Sequence, residues 1–233
     1  MKFFKVLKIF FLGFTFFATS VLFALDSKDL EKISWIVEKV DNFYKKNPKL
    51  KGNFTLYQDG NKSEGYFLFE APSKLKMFFG PEDESNDTEK FRYIISNGNV
   101  LWIFLPQAKV LVEQEIPDYF KDMGMLGMGI SRLLGSYHHL TTEEENKDGE
   151  KLILLTLKNP SKNMPFQEIT FSINQEGFIT MMRGKAIKNN KQQITTFFRY
   201  GLNKNPELTD KDFRIRPSGD IQILRNVLVK TKK

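Results

Sequence analysis

Val100-Leu-Trp-Ile-Phe-Leu105 is an unbroken apolar run with a turn signal at each end, Asn97-Gly98 before it and Pro106-Gln107 after it. A run this short between turns fits a strand and not a helix. Asn-Gly predicts a two-residue hairpin turn, because both central residues of a type I′ turn take positive φ and these two tolerate it. Side chains alternate along a strand, so an ordinary antiparallel strand buries one face and wets the other. This strand has no wet face. The fold must cover it on both sides, with a helix, a lid or a ligand.

The surrounding sequence points the same way. At 233 residues the chain suits one sizeable domain, and no Pro/Gly/Ser-rich linker divides it. Aromatic residues make up 14%, most of them Phe, which favours strands. Ser27 to Lys46 reads as an amphipathic helix: Leu30, Ile33, Ile36, Val37, Val40, Phe43 and Tyr44 recur at spacings of three and four. Asp26 or Ser27 can cap its start, and Asn47-Pro48 ends it. From Lys49 the period changes to two. Strands are predicted over 49–58, 64–70, 74–79, 91–96, 99–105, 109–115, 138–144, 151–158, 167–173, 179–188, 192–200 and 213–216, separated by Gly, Pro, Asn and Asp turns. Close turns between so many short strands mean an antiparallel meander, curled into a barrel or half-barrel.

Two segments interrupt the meander. Glu82 to Glu89 is acidic and reads as a solvated loop. Asp118 to Ser136 interleaves Met123, Met125 and Met128 with Gly124, Gly127 and Gly129. Each glycine costs a helix about 1 kcal/mol relative to Ala, so this stretch reads as a Met-rich, marginally helical flap.

Met1 to Ala24 has the form of a secretory signal: Lys2, Lys5 and Lys8 precede an apolar core, Ile9 to Phe17, too short to span a bilayer comfortably. Cleavage is expected after Ser20 or Ala24, with an uncleaved anchor as the alternative. Either way the domain is expected outside the cytoplasm. Removing the three signal lysines takes the net charge from +7 to +4, a mild excess that suits an anionic membrane surface better than nucleic acid in that compartment. The chain has no cysteine, which excludes disulfides, thiolate metal sites and a Cys nucleophile.

Enzyme chemistry finds little support. His138 and His139 are adjacent, so on a strand they point to opposite faces and cannot share one metal. Glu143-Glu144-Glu145 reads as a solvated loop edge. No G-x-S-x-G, Walker or G-x-G-x-x-G pattern occurs, and no cofactor is expected. What stands out is apolar excess. Lys74 to Phe79, Val100 to Leu105, Leu152 to Leu155 and Thr195 to Phe198 carry large side chains on both faces or nearly so. Either a helix and the two halves of a barrel fill both sides, or one side is a cavity for an apolar ligand closed by the Met/Gly flap.

Several motifs, taken in order, resemble the periplasmic outer-membrane lipoprotein carrier (LolA) family. Gly65-Tyr-Phe-Leu-Phe-Glu-Ala-Pro72-Ser-Lys-Leu-Lys-Met77 is similar to the family's strand and x-P-x-x-hydrophobic-x-hydrophobic run. Ile95-Ser-Asn-Gly98-Asn-Val-Leu-Trp102-Ile-Phe-Leu-Pro106 is similar to its S-D-G-x-x-x-W-x-Y-x-P core, the most specific piece. Phe166 to Phe171 with Gly177-Phe-Ile resembles a late hairpin, and Phe213-Arg-Ile-Arg-Pro217-Ser-Gly219 a closing strand and turn.

The resemblance implies an unclosed antiparallel β-barrel over residues 25–223, with an N-terminal helix and a helical or flexible lid over an apolar cavity, followed by a basic tail, 224–233. By motif matching, Leu75, Met77 and Ile94 would line the cavity, and Met125, Leu126 and Met128 would belong to the lid. Phe79 and Phe104, from the same apolar runs, are candidates beside them. Where some family members have an Arg before the proline to fasten the lid, this chain has Ala71; Lys74 and Lys76 stand nearby, but Lys is a point donor and not a fork. The implied function is a monomeric, non-catalytic periplasmic carrier of acylated lipoproteins. It would load from an inner-membrane ABC-type releasing complex and deliver to an outer-membrane acceptor, with no metal, cofactor or nucleic acid. The alternative is a lipid- or lipoprotein-binding sensor of the same fold.

Overall fold

In a computed structural model of the chain, residues 27–82, 90–116, 130–161, 164, 166–188, 191–215 and 220–227 are described. The chain divides into two compact units, Met1–Ile36 and Val37–Lys233. The first half of helix α1 (Ser27–Lys46) belongs to the first unit. There Ile33 and Ile36 are buried but Leu30, the first residue of the expected apolar stripe, is half exposed.

The second unit contains a single sheet. Its strands are β1 (Lys49–Gln58), β2 (Asn61–Glu70), β3 (Lys74–Phe79), β4 (Arg92–Asn97), β5 (Val100–Leu105), β6 (Val110–Glu115), β7 (Tyr137–Lys147), β8 (Glu150–Pro160), β9 (Glu168–Ile173), β10 (Ile179–Lys188), β11 (Lys191–Lys204) and β12 (Gln222–Arg225). The order across the sheet is β12-β6-β5-β4-β3-β2-β1-β11-β10-β9-β8-β7. The sheet is not closed: β12 and β7 are its two edges. The architecture is therefore mainly β, an unclosed half-barrel with an N-terminal helix. Hairpins link most neighbours, and β1 pairs with β11 to join the two meanders. The chain leaves β6 beside one edge and re-enters at β7, the other, through residues 116–136 and a short helix α2 (Ile130–Leu134).

Two details differ from the sequence reading. The hairpin between β4 and β5 turns on Gly98 and Asn99, one residue later than Asn97-Gly98, because Ser96 pairs with Leu101 and Asn97 is still strand. Gly98 takes φ +94° at the first central position, as a type II′ turn requires, and no type I′ pair forms. Asn97 contributes its side chain, whose Oδ1 accepts from the amides of Asn99 and Val100 at 2.9 Å each. Of the last predicted strand, 213–216, the described residues 213–215 form no strand. Phe213 ends a 3-10 helix (Asp210–Phe213) whose Thr209–Asp212 capping box satisfies its first amides. The final strand is instead β12, which straddles the boundary between the expected domain and its basic tail. Its alternation is only four residues long and it pairs with β6 in parallel, so neither a hairpin nor a long period announces it.

The register sorts the side chains into two faces. On the first, Leu50, Phe54, Phe67, Phe69, Leu155, Phe171 and Ile173 are buried. The second half of α1 packs there. Tyr44 meets Phe69 edge-on at 6.0 Å, Phe43 meets Phe178 at 5.5 Å, and the buried Arg199 donates to the Tyr44 hydroxyl at 3.2 Å. Asn47 ends the helix by donating both its backbone and side-chain N–H to the carbonyl of Phe43.

The opposite face carries a second core. Tyr66, Leu68, Phe78, Tyr93, Ile95, Phe104 and Leu111 surround the buried Phe213, with Trp102, Leu208, Ile215 and Ile221 packed around them. Tyr93 stacks on Phe104 at 4.9 Å and Tyr66 on Phe78 at 5.4 Å. Lys49 donates to the Leu208 carbonyl at 3.1 Å and Lys74 to Asp210 at 2.7 Å, which ties the 3-10 segment to the sheet.

Burial pushes the hydroxyl of Tyr93 up to about 12. The folded state then keeps this proton to higher pH than the unfolded chain, whose tyrosines ionise near 10. The stability that Tyr93 contributes should be constant below pH 10 and be lost between pH 10 and 12. Tyr93→Phe removes this group's share of the decline. By urea unfolding it should keep about 1–2 kcal/mol more of its neutral-pH stability at pH 11.5 than the parent does. Equal losses in both proteins would contradict a buried hydroxyl.

Candidate functional site

Strand β5 shows what covers a strand with no wet face. Trp102 and Phe104 point into the second core, under Phe213, and the Trp102 indole donates to Glu113 at 3.2 Å. The cover on that side is the C-terminal 3-10 segment and not α1, which packs on the other face of the sheet. Leu101, Ile103 and Leu105 point to that other face.

There the register builds an apolar row. Met77 pairs with Ile94, Ile94 with Ile103, and Ile103 with Val112, across four adjacent strands. Met77, Ile94 and Ile103 are half-buried, whereas Val112 is buried. On one side of this row lie Leu75, Ser96, Leu101 and Gln114. On the other lie the paired Phe79 and Arg92 and the paired Leu105 and Val110. Leu105 is 37% exposed. The arrangement is graded: Leu75 is buried at 2%, and the side chains become more accessible towards Phe79 and Leu105.

The polar groups of this face are committed. Ser96 accepts from the Gly98 amide at 3.1 Å and donates to the Ser73 carbonyl at 3.3 Å. Gln114 donates to the Glu115 carbonyl at 2.9 Å and to Asn226 at 3.3 Å. Arg92 lays its guanidinium over the Phe79 ring at 3.8 Å, and burial lowers its pKa from the ordinary arginine value. Among the described residues the patch is suited to remove apolar groups from water, with the Arg92 cation at its rim.

The site residues expected from sequence fall into three groups. Leu75, Met77, Phe79 and Ile94 share this face, as the period-two pattern requires. Phe104 does not: it pairs with Tyr93, is 3% exposed, and stacks inside the second core. Its run is apolar on both faces, so periodicity could not say which face it joins. Met125, Leu126 and Met128 lie outside the described residues, as do the signal segment, residues 83–89 of the acidic loop, and the end of the tail. Ile103 and Arg92 were missed: Arg92 follows from the alternation once Ile94 is placed, whereas Ile103 needs the pairing of β4 with β5.

Lys74 and Lys76 point to the opposite face from Met77, so neither can fasten a cover over the apolar row. Lys74 pairs with Asp210 and Glu70; Lys76 lies over Tyr66, with its pKa lowered by burial. Glu143 to Glu145 belong to β7 and not to a loop, and they are exposed, as are His138 and His139. Among the described residues no cluster of three or more His, Cys, Asp or Glu could hold a metal, and no helix is long and apolar enough to cross a membrane.

No family model and no curated protein matches the sequence. Solved structures do. An uncharacterised conserved protein from Thermus thermophilus superposes with a TM-score of 0.54 at 10% identity, over 83% of this chain and 99% of that one. The two chains share a fold. A LolA superfamily protein from Nitrosomonas europaea matches at 14% identity and a TM-score of 0.40, over 78% of this chain and 97% of that one. A putative outer membrane lipoprotein-sorting protein domain from Vibrio parahaemolyticus matches at 12% identity and 0.41, over 80% and 96%.

Proposed function

We propose that this protein is a non-catalytic carrier that holds the acyl chains of lipoproteins on the Met77–Ile94–Ile103 row and moves them through the aqueous space outside the cytoplasm. The observation that carries the reading is the row itself, an accessible apolar surface continuous with a core and without a free polar group among its described members. The motifs shared with the lipoprotein carrier family support it.

Each methylene exposed to water costs about 0.8 kcal/mol, so a lipoprotein with several long chains is pinned to its membrane by roughly tens of kcal/mol. A carrier must lower that cost without holding its cargo irreversibly. A half-buried row shields chains partially, which suits moderate affinity and release. The chain offers no nucleotide-binding motif, so the work of extraction falls to an ATP-driven complex of the inner membrane, and release to an acceptor at the outer membrane.

The test is transfer. Membranes that contain the extractor and a labelled lipoprotein are incubated with the purified protein and ATP. Soluble lipoprotein–carrier complex should appear, and it should vanish without ATP. A protein that binds lipid yet never solubilises lipoprotein would be a sensor of the same fold and not a carrier.

A further inference from the structure

The other half of the sheet is hollowed on the face away from α1. A hollow of about 520 Å³ is lined there by Tyr57, Leu154, Met181, Phe198, Arg183 and Thr196, among others. The register explains how it forms. Tyr57, Thr196, Arg183, Thr170 and Thr156 pair in sequence across β1, β11, β10, β9 and β8. Beside this polar row, Phe198 pairs with Met181 and meets Tyr57 edge-on at 6.0 Å. The floor is thus part aromatic and part hydroxyl, with a guanidinium in the middle.

The charges around it are unequally engaged. Glu168 is held by Lys185 at 2.5 Å and Lys158 at 3.5 Å, so its negative charge is already matched. Glu145 and Lys147, on one face of β7, oppose each other in sign. Arg183 has no hydrogen bond or ion pair among the described residues. A threonine flanks it on either side, and one of these, Thr170, already shares a hydroxyl contact with Thr156 at 3.0 Å. An unengaged arginine fork between hydroxyls matches a carboxylate or phosphate, and the adjoining Phe198, Met181 and Leu154 match an apolar chain.

We infer that this hollow binds the anionic head of an amphiphile, with Arg183 on the head and Phe198 and Met181 under the apolar part. The site faces away from the apolar row of β3–β6, so the inference goes beyond the carrier reading and stands without it. The same chemistry is available from a free anion in solution or from an anionic lipid in a bilayer.

The experiment uses the full chain, isotope-labelled for NMR, titrated with octyl phosphate below its micellar concentration. Saturable shifts should cluster on the amides around Arg183, Thr196 and Phe198. Arg183→Glu, at an exposed position, should fold as the parent does by circular dichroism and weaken binding at least tenfold. Gln107→Ala, at an exposed position in the turn between β5 and β6, should leave octyl phosphate binding unchanged. Sedimentation with phosphatidylcholine/phosphatidylglycerol vesicles separates the sources: pelleting lost in Arg183→Glu assigns the head to a bilayer lipid, and saturable octyl phosphate binding without pelleting assigns it to a soluble anion. No saturable shift up to millimolar octyl phosphate, or full binding by Arg183→Glu, would overturn the inference.

Discussion

Phe213→Ala should lower the unfolding free energy by about 3–5 kcal/mol, the largest stability loss expected from a single truncation on the outer face of the sheet. Phe213 is 1% exposed and lies at the centre of the second core. Its removal leaves a cavity that the surrounding rings cannot easily fill, because Tyr93 is stacked on Phe104 and Tyr66 on Phe78. The loss should spread beyond the void. Leu208, Ile215 and Ile221 pack on the same cluster from the C-terminal segment, so weakening Phe213 weakens the attachment of that segment and exposes Trp102. Urea unfolding followed by Trp fluorescence and by circular dichroism measures both effects. A loss below about 1 kcal/mol would mean that the strand is not covered from that side, which would remove the explanation for half of its apolar character.

Ile94→Asp should reduce capture of acyl chains at least tenfold, about 1.4 kcal/mol or more. Ile94 sits between Met77 and Ile103 in the middle of the row. An acyl chain lying there would have to desolvate the carboxylate or avoid it, and either choice forfeits methylene contacts worth about 0.8 kcal/mol each. Because Ile94 is only half-buried, the folded sheet can leave the new charge in water, so function should fall further than stability. Ile94→Ala provides the comparison: it trims contact without adding charge and should cost capture only a few-fold. If Ile94→Asp loads cargo as well as the parent, the row is not the binding surface.

Much of the fold was legible because the strands obey a strict period and the turns carry Gly, Asn and Pro at fixed offsets. The bounds of β1, β3 and β10 coincide with the apolar alternation. Legibility failed where the signal was short or two-sided. Gln222–Arg225 is too brief to show a period, and its parallel partner β6 is far away in sequence. The 213–216 segment looks like a strand because Phe213 and Ile215 alternate, but a local capping box at Thr209 and Asp212 fixes Asp210–Phe213 as a tight helical turn instead.

The site divides in the same manner. Leu75, Met77 and Ile94 came from the motif resemblance and Phe79 from its apolar run, and the pairing of β3 with β4 puts all four on one face. Phe104 was misplaced because β5 is apolar at every position, and only the pairing of Tyr93 with Phe104 decides which core it joins. The hollow around Arg183 had no sequence signal at all. Threonines and an arginine on alternating positions read as an ordinary wet face until the register aligns them across five strands.

The central claim is that acyl chains lie on the row formed by Met77, Ile94 and Ile103. The direct measurement is photo-crosslinking in the transfer reaction, with a photoreactive residue at Ile94 or Ile103 and, as control, at the exposed Lys62. The account predicts lipoprotein adducts, with the acyl moiety in the linked fragment, from Ile94 and Ile103 and none from Lys62. Adducts confined to Lys62, or none at either row position while transfer proceeds, would contradict it.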